Sequence, residues 1–572
     1  MRGSGGNRST VLNELRVAAA AHPLVNLTGP LGVGKSRLAA GLENASAVDL
    51  DRPDALPVLR RALTDADPTR TLVVDSVDGR QRLESLREEL ESARAERPTV
   101  VVVTRRPILS DPSWAGSGTV TVAVPPVCAG WIATRAAGIA DSRGRSLVTR
   151  LADGIPLLAD AACRALGSGV PASSPGAVAD LIAEEILVRL GRELPGRRRQ
   201  HALRLLATVG AADEKLLPGG PDHFASLAGL SVVHRDALGL RIAEPFRTVL
   251  ELAYRWRQPE AHETVRIRAR DYRLNLLTRA RDREERAQLA EQGLFLTGDP
   301  LLRRELFPAS ERLVDFRTAR PDDADDIGRL MRQWAAHSGF DPRRCDRLTE
   351  RWASDDISAF HLARDRDGRA IGVASLMPIN ERTADGVESL LQQHSGALAG
   401  GGLFLGAAHC PDPAARGRLL RHVLGQAVDG GRLIVSTASP EYQALVRGLG
   451  FRVHGGIRDD VYRCGRRPEV FSNDFGAAAL PWWMQRIADG GGLPPEPARP
   501  SGPRLAPKEL RILLDYASGM TLKSAARRAG VTPNTAKDYL SRVKSKYRLA
   551  GRPAYTKIDL ALRVREDGLD SL

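Results

Sequence analysis

A chain of 572 residues with 42% hydrophobic and 27% charged content has material for about four domains and is too apolar for wholesale disorder. Its 83 Lys+Arg exceed its 69 Asp+Glu by 14, a balance that favours a polyanionic partner. No apolar run approaches the ~20 residues that cross a bilayer. The opening Met1-Arg2-Gly3-Ser4-Gly5-Gly6 also lacks an apolar signal core, so a cytoplasmic protein with no membrane partner is expected. Cys128, Cys163, Cys345, Cys410 and Cys464 never form C-x-x-C; they read as small buried hydrophobes, not as a disulfide or zinc framework.

Lysine use is uneven. Only eight basic residues are Lys; six of them lie from Lys508 onward, and Lys35 and Lys215 are the others. Lys35 closes Gly29-Pro30-Leu31-Gly32-Val33-Gly34-Lys35-Ser36, a match to G-x-x-x-x-G-K-[ST]. The apolar strand Leu24-Val25-Asn26-Leu27-Thr28 precedes it and a helical run from Ser36 to Leu42 follows. Glycines let backbone N–H groups wrap phosphates, and the helix N-terminus adds its positive dipole end. A compact ammonium suits the β/γ-phosphates better than a forked guanidinium, and Ser36 would place a hydroxyl on Mg²⁺. Thr71-Leu72-Val73-Val74-Asp75 reads as a buried strand ending in a carboxylate that would reach the same Mg²⁺. Val100 to Val103 is another strand, followed by Thr104-Arg105-Arg106-Pro107, and Asp153-Gly154-Ile155-Pro156-Leu157-Leu158 opens a helical region.

Together these segments resemble the STAND class of signalling ATPases, in particular the ATPase modules of large actinobacterial transcription regulators. The resemblance implies a nucleotide switch with Arg105 sensing the γ-phosphate and Pro156 near the adenine. The nucleotide-binding residues expected for ATP or ADP are thus Gly29, Gly32, Gly34, Lys35, Ser36, Arg105 and Pro156, with Ser36 and Asp75 on Mg²⁺. Two positions depart from the pattern. Ser76 follows Asp75 where an acidic residue is usual, leaving Asp78 as the candidate catalytic carboxylate. Leu240 to Phe246 also contains no nucleotide-sensing His. The reading is ATP binding with at most slow hydrolysis.

Residues 176–310 read as helical with a winged-helix hairpin over Leu230–His234 and Leu238–Ile242. The arginine-rich run from Arg266 to Arg286 is interleaved with acids and reads as a solvated helix face. From 311 to 488 the order strand, helix, Asp-Gly hairpin, strand, helix and a Gly448-Leu449-Gly450-Phe451 ending is similar to the GNAT acyltransferase fold. Its pyrophosphate loop, usually R-x-x-G-x-[GA], is here Cys410-Pro411-Asp412-Pro413-Ala414-Ala415-Arg416-Gly417-Arg418. Asp412 and Ala415 replace the motif's Arg and first glycine, and Pro413 removes a donor. Arg416, Gly417 and Arg418 remain as candidate coenzyme A contacts, and Tyr442 falls near a general-acid position. A Gly/Pro-rich linker is expected over 489–503.

Residues 504–572 hold fifteen Lys/Arg against seven Asp/Glu. Four short helices are expected, the third capped by Thr532 with Pro533 at its first position. Ala536, Leu540, Val543 and Tyr547 form its inward face. LAPKELRILLDYASGMTLKSAARRAGVTPNTAKDYLSRVKSKY resembles the LuxR-type helix-turn-helix. The family implies Lys537, Thr535 and Asp538 near base edges and Thr532, Asn534, Lys544 and Lys546 nearer phosphates. Arg542 joins the DNA-facing set on the same polar face.

The expected architecture is multidomain α/β plus all-α. It comprises a P-loop parallel sheet with lid (1–175), a helical and winged-helix region (176–310), a GNAT-like domain (311–488), a linker (489–503) and a DNA-binding domain (504–572). The expected function is an ATP-binding, sequence-specific transcription regulator whose GNAT-like domain senses a ligand or acts as a spacer. Its expected partners are nucleotide, double-stranded DNA, a second or further copy of the chain and, as a candidate, RNA polymerase. Two alternatives stay open: an acetyl-CoA-dependent N-acetyltransferase tethered to DNA, and a STAND-type defence or scaffold protein.

Overall fold

Runs of Val and Leu with few interruptions set the first sheet of the computed structural model. β1 (Leu24–Thr28), β2 (Ala45–Asp49), β3 (Thr71–Asp75), β4 (Thr99–Thr104) and β5 (Val120–Ala123) pair in the order β2-β3-β4-β1-β5, all parallel. β1 is buried along its whole length and β4 beyond its first residue. Strands covered on both faces carry continuous rather than alternating apolar runs. Leu59, Leu72, Val74, Val100, Val102 and Trp114 build one core of this layer. The shared strand direction brings the ends of β1, β3 and β4 to one edge, where ligands of open α/β sheets bind.

The structure describes residues 6–572 except 66–69, 94–96, 192, 194–195, 309–313, 366, 381, 399–400, 489–502, 504, 551, 553, 568 and 570–572. The expected linker lies outside the described residues save Pro503. The chain divides into two compact units, Met1–Tyr272 and Arg273–Leu572.

In the first unit, α1 (Gly6–Ala21) packs on the parallel sheet and α2 (Lys35–Ala39) follows the glycine-rich loop. α3 (Pro156–Gly167), α4 (Pro175–Leu190), α5 (Arg197–Val209) and α6 (Phe246–Arg257) form the helical part, with α6 packed on α4 and α5. Between α5 and α6 lies an antiparallel sheet, β6 (Ala211–Ala212), β7 (Val233–Asp236) and β8 (Gly239–Ile242), in the order β6-β8-β7.

The second unit opens with α7 (Arg283–Phe295) and α8 (Pro300–Leu306), which pack on the helix Pro413–Gly430 of the following α/β domain. That packing joins residues 283–306 to the second unit, although the change in sequence pattern falls near 310. The second sheet comprises β9 (Asp315–Thr318), β10 (Phe360–Arg364), β11 (Ala370–Pro378), β12 (Leu403–His409), β13 (Arg432–Thr437), β14 (Arg452–Gly456) and β15 (Glu469–Asp474). Its order is β14-β15-β13-β12-β11-β10-β9. Every pairing is antiparallel except β12–β13, which are in register only over Leu403–Leu405 against Leu433–Val435. Beyond that point the two strands splay. α9 (Ala324–Ser338), α10 (Pro342–Asp356), α11 (Pro413–Gly430) and α12 (Pro440–Gly448) complete this domain. Trp352, Phe360 and Phe404 are wholly buried in its core. α13 (Ala479–Ala488) closes it with Trp483, whose indole N–H donates to the Leu449 carbonyl at 2.8 Å.

The C-terminal helices are α14 (Pro507–Ala517), α15 (Leu522–Arg528), α16 (Pro533–Leu549) and α17 (Lys557–Glu566). Ile512, Leu513, Ala526, Ala536, Leu540, Val543, Tyr547 and Leu560 share one core. The four inward positions expected for α16 are all buried.

Candidate functional site

The loop after β1 is shaped by its glycines. Gly34 adopts φ 100 and caps α2 in the left-handed region, and Gly32 has φ 71. A Cβ at Gly32 would lie 2.4 Å from the Cβ of Leu157, whose N–H donates to the Gly32 carbonyl at 3.2 Å. Pro156 at the first position of α3 thus delivers Leu157 onto the loop. Gly32→Ala is expected to force α3 off the loop and to lower the midpoint of thermal unfolding by several degrees, about 1–3 kcal/mol of overpacking and backbone strain. Differential scanning calorimetry checks this.

Lys35 is buried at the start of α2, and its ammonium donates to the Gly29 and Pro30 carbonyls at 2.8 and 3.0 Å. It folds back into a cradle that an anion's oxygens could share. Burial pushes Lys35 down to about 8; Arg105 lowers it further, while Asp78 and Asp75 oppose the fall. Ser36 is exposed on the first turn of α2. Asp75 ends β3, and its carboxylate accepts from the Ser76 N–H at 2.7 Å, with Ser76 itself at φ 61. Ser36 and Asp75 are therefore available as oxygen donors for a cation carried by a nucleotide. Among the described residues no group of three or more His, Cys, Asp or Glu could hold a metal alone.

Arg105 and Arg106 follow β4, between the ends of β1 and β3. Asp78 accepts from the Arg105 backbone N–H at 2.8 Å and pairs with its Nε at 3.0 Å. That fixes Asp78 as a partner of Arg105, so it is not free to act as a base on water. The alignment is set by a residue that sequence reading passed over. Asn26, wholly buried in β1, donates to the Val102 carbonyl and Thr104 Oγ1 at 3.0 and 2.8 Å and accepts from the Ile108 N–H at 3.0 Å. A polar residue inside an apolar strand was the available signal. A histidine is also close by, although none lies in 240–246: His234 on β7 pairs in register with Arg241.

In the second unit the residues at the expected coenzyme A loop do not fit that cofactor. Asp412 caps α11 by accepting from the Ala414 N–H at 3.0 Å. Arg416 is paired with Glu305 at 2.8 Å and Glu441 at 3.0 Å. A Cβ at Gly417 would meet Pro308, the Leu306 carbonyl and the Glu305 carbonyl at 2.6, 2.9 and 3.1 Å. The stretch 305–308 therefore lies where a pyrophosphate would need backbone N–H groups. Tyr442 is held within the fold. Its hydroxyl donates to the Ala408 carbonyl at 2.8 Å, and burial pushes its pKa up to about 12. Between the splayed β12 and β13 lies a small apolar cavity lined by Trp334, Phe340, Leu405, Val435, Tyr442 and Phe451.

On the C-terminal bundle, Thr532 Oγ1 accepts from the Thr535 N–H at 3.2 Å and fixes the start of α16. Asn534, Lys537, Asp538 and Arg542 are exposed, as are Lys523 and Arg527 on α15. Two expected phosphate contacts are instead engaged within the bundle. Lys546 pairs at 2.6 Å with Glu509, which is buried, and Lys544 donates to the Tyr555 carbonyl. Among the described residues no helix is long and apolar enough to cross a membrane.

No family model matches the chain, and no curated protein matches it. Among solved structures, a Walker-type ATPase of Pyrococcus abyssi aligns at 15% identity with TM-score 0.33, over 42% of this chain and 95% of that one. A histone acetyltransferase HPA2 and related acetyltransferase from Corynebacterium glutamicum aligns at 18% identity with TM-score 0.22, over 28% and 96%. A polyamine N-acetyltransferase of Drosophila melanogaster aligns at 14% identity with TM-score 0.22, over 28% and 100%.

Proposed function

We propose that this chain is a nucleotide-controlled, sequence-specific DNA-binding regulator. The observation that carries the reading is a pairing of two surfaces in one chain. One is a glycine cradle closed over a buried Lys35; the other is a helix, α16, whose cap is built and whose exposed face offers Asn534, Lys537 and Arg542. The first suits the phosphates of ATP or ADP, with Mg²⁺ on Ser36 and Asp75. The second suits a major groove, where Asn reads adenine and Lys or Arg reads guanine. The domain around β12 and β13 acts as a small-ligand sensor or spacer, since its coenzyme A loop is covered by residues 305–308. A second copy of the chain on a two-fold site, a polymerase contact and a cytoplasmic setting belong to the same reading.

The test is capture and sequencing of genomic fragments retained by the full-length protein at physiological salt, with and without ATP. Discrete sites whose occupancy changes with ATP are expected. Salt-sensitive retention with no preferred site would reduce the C-terminal domain to an electrostatic anchor.

A further inference from the structure

We infer that Glu193 makes the closed nucleotide site prefer a nucleoside diphosphate over a triphosphate, by occupying the guanidinium of Arg105 that a terminal phosphate would need. The inference rests on the nucleotide reading of residues 29–36 and names the residue that discriminates between its two ligands.

The geometry is crowded around one guanidinium. Arg105 Nε faces Asp78 at 3.0 Å, Nη1 bonds the Glu193 carboxylate and reaches Ser231 Oγ at 3.4 Å, and Nη2 donates to the Arg189 carbonyl at 3.2 Å. Both partners of the Arg105–Glu193 pair are largely out of water, with side chains 17% and 13% exposed. Charge-assisted bonds in such surroundings are strong, and these partners take four of the five N–H donors of Arg105 and set the Glu193 carboxylate against it. Lys35, by contrast, holds only backbone carbonyls, which an incoming phosphate can replace without meeting a carboxylate. A diphosphate seated at Lys35 therefore leaves the Arg105 cluster intact. The charge of Arg105 already acts on Lys35, so a third phosphate extending from Lys35 toward Arg105 would meet the Glu193 carboxylate and be repelled unless Glu193 moves.

Displacement would be felt elsewhere in the same unit. Glu193 also accepts from the Ser231 N–H at 2.8 Å and from its hydroxyl at 3.2 Å. Arg106 donates to the Leu230 and Val233 carbonyls. The turn before β7 is thus held by the two arginines that end β4, one of them through Glu193. Releasing Glu193 removes the two bonds it makes with Ser231 and leaves the turn on Arg106 and on the long contact from Arg105.

The test measures affinities of the full chain for ADP and for a non-hydrolysable ATP analogue by competition with a fluorescent nucleotide. Glu193→Gln, which keeps the shape and removes the charge, and Glu193→Ala are compared with wild type. Both variants are expected to bind ADP within about twofold of wild type and the triphosphate about tenfold tighter, a shift of ~1.4 kcal/mol. Intact ADP binding reports that each variant is folded. An unchanged ratio of the two affinities would overturn the inference and leave the nucleotide reading standing. So would loss of ADP binding in Glu193→Gln, because Glu193 would then support the cradle and not discriminate between ligands. If wild type binds neither nucleotide, the reading of residues 29–36 falls as well.

Discussion

Lys35→Ala is expected to cost about a hundredfold or more in nucleotide affinity while leaving the protein folded. In the free protein the ammonium bonds the Gly29 and Pro30 carbonyls. On binding it would exchange these for phosphate oxygens, each charge-assisted bond contributing roughly 1.5–3 kcal/mol. Alanine keeps the helix propensity at the start of α2, and the two carbonyls it exposes can be met by water entering the emptied cradle. Stability should therefore fall by little more than a surface substitution costs. Titration calorimetry gives the affinity and a thermal melt gives the control; unchanged affinity would remove the phosphate cradle from the proposed function.

The same lysine predicts a pH dependence whose sign is fixed. Burial holds free Lys35 at about 8, so it is charged below that pH and neutral above it. A bound phosphate favours the charged form and raises its proton affinity. Above about 8, and up to the higher pKa of the complex, binding must take up a proton, and affinity falls by up to about tenfold per pH unit. Below that range Lys35 is charged in both states and contributes no pH dependence. Calorimetry in buffers of differing ionisation enthalpy should find close to one proton taken up at about pH 9, an uptake that shrinks as the pH falls through about 8. Lys35→Ala should lose the step.

The parts legible in the sequence were those written in contiguous residues. The cradle occupies eight successive positions, and its glycines are demanded by φ values that other residues adopt at a cost. β1 and β4 are legible because strands buried on both faces need unbroken apolar runs. The inward face of α16 repeats at helical spacing, so Ala536, Leu540, Val543 and Tyr547 could be named in advance. What escaped depends on residues far apart in the chain. Glu193 meets Arg105 across 88 positions, and nothing near either residue marks the other. Lys546 reads as a solvent-facing cation until folding brings Glu509, 37 positions away, against it. The coenzyme A loop is an intermediate case. Asp412 and Pro413 already argued against a pyrophosphate, but the cover over Gly417 comes from residues 305–308, outside the domain that the sequence pattern delimits.

Lys537→Ala is expected to weaken binding to the captured DNA sites by about 1–3 kcal/mol and to relax sequence preference at one position. Thr532 fixes where α16 begins, and burial of Ala536, Leu540, Val543 and Tyr547 fixes its rotation. Lys537, one residue after a buried alanine, must then point away from the core, where it is exposed. A surface cation that supports no packing can be removed within about 0.5 kcal/mol of stability, so a loss of DNA affinity would report contact and not folding. Lys546→Ala provides the contrast. It strands the buried Glu509 carboxylate that accepts from Lys546 and from the Ala506 N–H at 2.8 Å, so a lower unfolding midpoint is expected along with any change in DNA affinity. Salt titration separates the remaining possibilities for Lys537. A base contact changes preference between sites, whereas a phosphate contact weakens all sequences alike and lowers the salt slope by about one. If Lys537→Ala changes neither affinity nor preference, α16 is not the element that reads DNA, and the excess of fifteen Lys/Arg over seven Asp/Glu in residues 504–572 serves only to hold the chain near a polyanion.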